Sequence, residues 1–182
     1  MISGFLKALV ALVFLVGTMV LSVCAYSASL PLRQGERPRT TEGVPHVQID
    51  AVAKPALSAE LLRQVDAFPG VEIKETVISL PGANGFWINE SVDLKRPESI
   101  VGGREFAHMH PDGSLHASLS PELADEAIKA GWAVRHPWSR MRPGWEGFVL
   151  IYTPTTETEL KVVVGLVAAS YAFVTGQPFY DN

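Results

Sequence analysis

Thiols and runs of basic charge are nearly absent from this chain of 182 residues. Its single cysteine, Cys24, lies in an apolar N-terminal stretch, so an intramolecular disulfide is impossible and thiol catalysis in the folded part is excluded. The formal net charge is −4 and no long basic run occurs, which argues against nucleic acid as a partner. No phosphate-binding glycine loop opens a helix, and no Gly-x-Ser-x-Gly motif occurs, so nucleotide binding and serine hydrolysis lose support.

The N-terminal stretch has the composition of a membrane segment. Residues 8–25 are apolar or small throughout, and Lys7 is the only charged side chain before them. Eighteen residues can just span a bilayer, so we predict that residues 1–29 form a single-pass membrane anchor, with the lipid bilayer as a partner. A secretory signal peptide cleaved around residues 25–27 is the alternative.

The remaining chain divides into a predicted linker and one predicted domain. Residues 30–55 are rich in proline, glycine, threonine and charged side chains and show no apolar period, which is typical of a linker. Residues 56–182 contain helix and strand signals in irregular alternation, and hairpins outnumber crossovers. This pattern predicts an α+β domain with a mostly antiparallel sheet packed against two or three helices.

Local signals place the elements of this domain. A helix is predicted from Ser58, another after the capping residue Ser120, and a third from Thr156 or Thr158 to Val174. The third is apolar nearly all round but short for a membrane span, so we interpret it as a buried core helix ending at Gly176. Strands are predicted over 71–79, 86–89 and 148–153, and a loop over 132–147.

The stretch from Phe106 to His116 predicts a β-hairpin that carries three of the five histidines. A three-residue loop at Pro111-Asp112-Gly113 would set His110 opposite Ser114 and His108 opposite His116. Alternation then places one set of side chains on a shared polar face and the other set on the core-facing side. The polar face would hold Phe106, His108, His110, Ser114, His116 and Ser118, and the core face Ala107, Met109, Leu115, Ala117 and Leu119.

Three imidazoles on one surface allow two kinds of chemistry. His108, His110 and His116 could ligate a divalent metal, although a cupin-type motif is not met, because Ser114 stands where a glutamate is expected. A neutral imidazole also suits general base catalysis near neutral pH. The plainer interpretation is three half-exposed strand histidines that make hydrogen bonds.

The segment around His136 is rich in aromatic and guanidinium groups, which suit a planar or anionic organic ligand. His136 could fold over the hairpin, or it could be a surface histidine held by Pro137. For Trp132, which follows a helix stop, a core position is favoured over a ligand contact. The candidate substrate-binding residues are Phe106, Ser114, Trp132, Arg135 and Trp138.

Several motifs in order resemble the luciferase domain of fungal bioluminescence, that of the 3-hydroxyhispidin luciferases, and its bacterial relatives. The resemblance covers residues 106–176, with weaker support from Ala56 onward. The motifs are His108–His116, Ser120-Pro121-Glu122, Gly131-Trp132, Arg135-His136-Pro137 and Tyr171-Ala172-Phe173. The fungal enzymes are also similar in having a membrane segment before a small domain.

This resemblance implies addition of O2 to a hydroxylated α-pyrone, followed by loss of CO2 and emission of light, without an organic cofactor. Under it, the expected catalytic residues are His108, His110, His116 and His136, one of the first three acting as general base on an enolic small molecule. Arg135, or another nearby cation, would stabilise enolate or peroxide charge. Because a fold does not determine a reaction, a non-catalytic binding module and a histidine metal site remain alternatives.

Overall fold

A computed structural model of the protein describes residues 29–178. The predicted N-terminal anchor therefore lies outside the described residues, apart from its last position. Within the described range the chain forms three α-helices and six β-strands. The helices are α1 (Pro55–Asp66), α2 (Pro121–Lys129) and α3 (Glu157–Thr175), and the strands are β1 (Val71–Glu75), β2 (Asn84–Ile88), β3 (Glu105–Met109), β4 (Leu115–Ser118), β5 (Ala133–Arg135) and β6 (Phe148–Ile151).

All six strands join one antiparallel sheet in the order β1-β2-β3-β4-β6-β5. The strand β6 lies between β4 and β5. After β4 the chain therefore leaves the sheet to form α2, re-enters it as the edge strand β5, and then inserts β6 between β5 and β4. The predicted α+β class with an antiparallel sheet is confirmed. The histidine hairpin, β3 and β4, lies at the centre of the sheet.

The helix α3 closes one face of the sheet against β3 and β4 and also packs on α1. Its side chains Val163, Val167, Tyr171 and Val174 are all buried. Of the helices in residues 29–178, this one alone has the length and apolar composition of a membrane span. Its packing on the sheet confirms the prediction of a core helix.

Local chemistry explains where the helices begin. Ser120 accepts a hydrogen bond from the Leu123 amide at the start of α2, and Thr156 accepts one from the Glu159 amide at the start of α3. The helix α1 begins at Pro55 rather than after Ser58, because proline is favoured in the first turn and the Ser58 amide already bonds to the Lys54 carbonyl.

The stretch predicted as a loop over 132–147 contains regular structure. The strand β5 lies in it, and residues 137–140 form a short 3₁₀ helix. With three residues, β5 is too short to show an alternating pattern. It forms because its residues Ala133, Val134 and Arg135 pair with the edge of β6.

A β-bulge interrupts the pairing of β2 with β3. Phe86 pairs with Ala107, but the next residue, Trp87, pairs with Glu105, so Phe106 is the extra residue. The bulge turns Phe106 towards α3, where its ring contacts Tyr171 edge-on at a centroid distance of 6.0 Å. The prediction that Phe106 shares the histidine face is therefore wrong, and Glu105 takes a place beside His108 instead.

The segment predicted as a linker packs along the domain over residues 29–54, here called the N-terminal strap. The Arg33 amide donates to the Ala130 carbonyl at 2.9 Å, and the Trp132 indole donates to the Pro31 carbonyl at 2.6 Å. Further along, the Thr153 amide donates to the side-chain carbonyl of Gln48 at 3.0 Å. These bonds hold the strap across the face of the sheet that α3 leaves open.

Candidate active site

All five histidines of the chain line one cavity of about 280 Å³. Each is at most 5% exposed. The hairpin contributes three, and the other two come from elements distant in the sequence. The histidines are His46 of the strap, His108 on β3, His110 at the β3–β4 turn, His116 on β4 and His136 after β5.

The hairpin has the predicted register. His108 pairs with His116 across the two strands, and the His110 amide donates to the Ser114 carbonyl at 2.8 Å. Gly113 closes the turn at φ +84°, the left-handed conformation that the predicted loop requires. Gly85 of β2, the partner of His108, leaves room for Glu105, because a Cβ there would approach the Glu105 carboxyl carbon to 3.1 Å.

A chain of polar contacts leads from Glu105 to the cavity. Thr76 and the Val77 amide donate to the two carboxylate oxygens at 2.7 and 2.9 Å. His108 Nδ1 lies 2.9 Å from Glu105 Oε1, although its N–H points off the line to that oxygen. Because a carboxylate only accepts, the His108 nitrogen that faces it is the protonated one, and in the neutral form of the ring Nε2 is then an acceptor.

The chain continues from His108 to His116. His108 Nε2 lies 3.0 Å from His116 Nδ1, so an acceptor at His108 places the His116 proton on Nδ1. The other nitrogen of His116, Nε2, is buried and has no hydrogen-bond partner among the described residues. An unpaired basic nitrogen is therefore available at the wall of the cavity.

His110 is oriented by a second, independent set of contacts. The Ser114 hydroxyl lies 2.7 Å from Asp112 Oδ1 and 3.0 Å from His110 Nδ1. Since the carboxylate only accepts, the hydroxyl donates to it and accepts from His110 Nδ1. The Nε2 atom of His110 is then a second acceptor at the cavity.

The donor and acceptor nitrogens of His136 are reversed relative to those of His110 and His116. Its Nδ1 accepts a hydrogen bond from the Trp138 amide at 3.0 Å, where the ring caps the 3₁₀ helix. In the neutral ring the proton must then be on Nε2. The ring centroids of His136 and His116 are 4.5 Å apart, so the cavity holds a donor N–H close to an acceptor nitrogen.

Burial favours the uncharged form of four of these five histidines at neutral pH. Desolvation, reinforced by the neighbouring histidines, lowers the pKa of His110 to about 4 and that of His136 to about 3. Desolvation and the same neighbours hold the pKa of His116 well below its ordinary value, and burial also lowers the pKa of His46. Neutral imidazoles can both accept and donate protons.

The rest of the cavity wall is mostly apolar. The strap contributes Val44, Pro45 and Val47, and the turn after β1 contributes residues 78–80. Trp138 and Phe148 complete the wall. No lysine or arginine lines the cavity within residues 29–178, so an anion formed there would be stabilised by N–H donors rather than by a cation.

The structure brings some of the predicted site residues together and separates others. His108, His110, His116, His136 and Trp138 line the cavity, whereas Ser114 lies behind His110. Trp132 is a core residue, as its alternative interpretation held.

Arg135 does not have the position expected of it. Its guanidinium donates to the Glu146 carbonyl and to the Asp125 carboxylate, away from the cavity. The expectation that it faces a bound anion is therefore not met. His136 Nε2 is the donor that the structure places there instead.

Two residues of the site were not predicted from the sequence. Glu105 stands three positions before His108, which strict alternation would put on the opposite face, and the bulge is what brings them together. His46 lies in a stretch without periodic pattern, and its ring stacks on His116 at a centroid distance of 5.5 Å. His46 is buried although Val44 beside it is 53% exposed, so the neighbouring residues do not signal its burial.

The same rings could also hold a metal. Two trios bring one ligand atom of each residue within 4.8 Å of the others, namely His46, His116 and His136, and His108, His110 and His116. Hydrogen bonds occupy part of each trio. His136 carries its proton on Nε2, and the contact between His108 and His116 occupies one nitrogen of each ring.

Comparison with known proteins points to one family. Residues 103–170 match the family model described as a luciferase domain. The luciferase of Armillaria gallica is 30% identical over 169 residues, covering 82% of this chain and 62% of the relative. The luciferase of Neonothopanus nambi is 30% identical over 172 residues, covering 83% and 63%. This chain thus spans 62% to 63% of the length of these curated relatives. No solved structure matches it significantly.

Proposed function

This chain resembles the fungal luciferase family over most of its length, and from that resemblance and its histidine cavity we propose that it is an oxygenase for enolic small molecules. The substrate class is a hydroxylated α-pyrone or a similar enol, and O2 is the only co-reactant. The observation that carries the proposal is the buried, uncharged pair at the cavity wall: the acceptor nitrogen of His116 beside the donor nitrogen of His136.

An enol needs both members of this pair. His116 Nε2 removes the enol proton, and His136 Nε2–H donates to the oxygen on which negative charge develops. Trp138 and the mostly apolar wall lower the polarity around the pair, which strengthens both interactions. His110 Nε2 is a second acceptor for another hydroxyl of the substrate.

The redox step needs no further group. The enolate transfers electrons singly to O2, a carbon–oxygen bond forms, and the peroxide anion recovers the proton held by His116. The substrate is oxidised by two electrons and O2 is reduced to a bound hydroperoxide, so atoms and charge balance. For an α-pyrone, the resemblance implies that the peroxide then attacks the lactone carbonyl and that CO2 leaves.

Oxygen uptake by the full chain tests the proposal, with 3-hydroxyhispidin as the probe and its 3-O-methyl ether as the control. Consumption of O2 and release of CO2 are expected with the free enol and not with the ether, whose methylated 3-oxygen has no proton to give up. Photon counting in the same sample reports whether light is emitted. A ligand-induced rise in melting temperature without oxygen uptake would instead identify a non-catalytic binding module.

Metal binding is the second candidate, favoured by the two histidine trios. A divalent ion could activate O2 or polarise the enol. Elemental analysis of the untagged chain, with oxygen uptake measured before and after dialysis against a chelator, distinguishes the candidates. We expect full uptake after chelation; stoichiometric metal whose removal abolishes uptake would favour a metalloenzyme.

We also propose that residues 1–29 attach the protein to a bilayer. The support is the stretch 8–25, which is apolar or small throughout. The expressed full chain is expected in the carbonate-resistant membrane fraction, and Leu15→Arg, which breaks the apolar run, is expected to release it. A shortened mature mass in the soluble fraction would show a cleaved signal instead.

A further inference from the structure

Glu105 is a fully buried carboxylate that does not line the cavity, although it lies next to a histidine that does. Its side chain is 0% exposed, and that of His108 is 2% exposed. Two donors bond to the carboxylate, the Thr76 hydroxyl and the Val77 amide, and His108 Nδ1 lies 2.9 Å from Oε1 without an aligned hydrogen bond. Burying a charge this completely is costly, and such groups are found where they are paired and hydrogen-bonded.

We infer that Glu105 is a positioning residue, which sets the tautomer of His116 through His108 and so decides whether that ring offers the cavity a lone pair or an N–H. The inference rests on the proposed function, because it names the group that prepares the base. The structural evidence for the inference is the series of contacts that leads from the carboxylate to His108 and from His108 to His116.

The substitution Glu105→Gln is expected to reverse this order. The Val77 amide donates to Oε2, so the single oxygen of a glutamine must stay on that side. The amide NH2 then occupies the place of Oε1, 2.9 Å from His108 Nδ1. Because that group only donates, His108 Nδ1 must accept, and the proton of His108 moves to Nε2.

The reversal continues to the cavity. A proton on His108 Nε2 donates to His116 Nδ1, 3.0 Å away. The proton of His116 then sits on Nε2, the nitrogen that would otherwise act as base. A change in a residue that touches no substrate thus removes the lone pair that the chemistry needs.

Nitrogen-15 NMR of the full chain, labelled in its histidine rings, reads these tautomers directly and needs no substrate. The chain has five histidines, so five ring systems must be assigned. At neutral pH the wild-type chain is expected to show His108 and His116 protonated at Nδ1, and the Glu105→Gln chain to show both protonated at Nε2. Thr76→Val is the matched control, because it removes a donor to the same carboxylate and keeps the charge; its tautomers are expected to be unchanged.

Wild-type His116 protonated at Nε2 overturns the inference, and so does a folded Glu105→Gln chain with wild-type tautomers. If Glu105→Gln does not fold, the wild-type spectrum decides alone. Oxygen uptake in a folded Glu105→Gln chain is expected to fall by about 10²-fold, the lower range for loss of a general base. Correct wild-type tautomers without oxygen uptake would uphold the role of Glu105 and overturn the enol chemistry.

Discussion

A chain carrying His116→Ala is expected to lose oxygen uptake by about 10²- to 10⁴-fold, the usual contribution of a positioned acid–base group. The loss follows because His116 Nε2 is an acceptor at the cavity wall that no group of residues 29–178 occupies. His110 Nε2 does not replace His116 Nε2 as the base. His110 is held in its own place by the contact to Ser114, and its ring centroid is 4.6 Å from that of His116. Uptake is measured with the free enol at saturating O2.

Two further variants separate catalysis from folding. His116→Gln keeps much of the side-chain volume against Phe148 and His46 but supplies no base, so it should be as inactive as the alanine variant. Imidazole added to His116→Ala should restore part of the activity by entering the space left by the ring. Arg135→Ala is the control expected to leave uptake unchanged, since its guanidinium faces Asp125 and Glu146. Full activity in folded His116→Ala would assign the base elsewhere.

Acid is expected to unfold the protein well before its carboxylates are fully protonated. The pKa values of His110 and His136 are lowered to about 4 and about 3, whereas in the unfolded chain both groups titrate near 6.5. Between those values the unfolded chain binds protons that the folded chain does not. The contribution of these two histidines to the free energy of unfolding is therefore fully present above their pKa in the unfolded chain. It is lost as the pH falls towards their pKa values in the folded chain.

The size of this effect follows from the proton linkage. At pH 5 each of these two histidines removes about 2 kcal/mol of the free energy of unfolding relative to neutral pH, because about 1.4 kcal/mol accompanies each pH unit below 6.5. His46 and His116 add to the loss in the same direction. Against a typical total of about 5 to 15 kcal/mol, the fall in melting temperature should be large.

A variant isolates one contribution. His136→Asn removes a titrating group and keeps an acceptor for the Trp138 amide, since asparagine is a favoured capping residue. Denaturant unfolding of this variant at pH 7 and pH 5 is expected to show a loss smaller than that of the wild-type chain by about 2 kcal/mol. An equal loss in both chains would mean that His136 is protonated in the folded state at pH 5.

Prediction from sequence succeeded where the physics is local. The loop with Gly113, the Ser120 cap and the opposition of His108 and His116 each depend on a few neighbouring residues. Alternation failed at one point, where a single extra residue in β3 turned Phe106 to the core and Glu105 to the histidine face. A bulge depends on the partner strand, and nothing in the sequence of β3 alone specifies it.

The remaining differences come from contacts that are distant in the sequence. His46 joins the site because the strap is held by bonds to α2, to Trp132 just before β5 and to Thr153 just after β6, each about a hundred residues away along the chain. The sequence around Trp132 and the sequence around Trp138 do not distinguish the two tryptophans. One is in the core because its indole bonds to Pro31, and the other faces the cavity beside His136.

The way in which the strap is fastened has a mechanical consequence. Its bonds at Leu30, Pro31 and Arg33 lie between the N-terminus and His46. A pulling force applied at the N-terminus must shear these bonds together before any tension reaches the stacked ring of His46. The geometry of the histidine cavity is thereby isolated from forces acting on whatever the first residues hold.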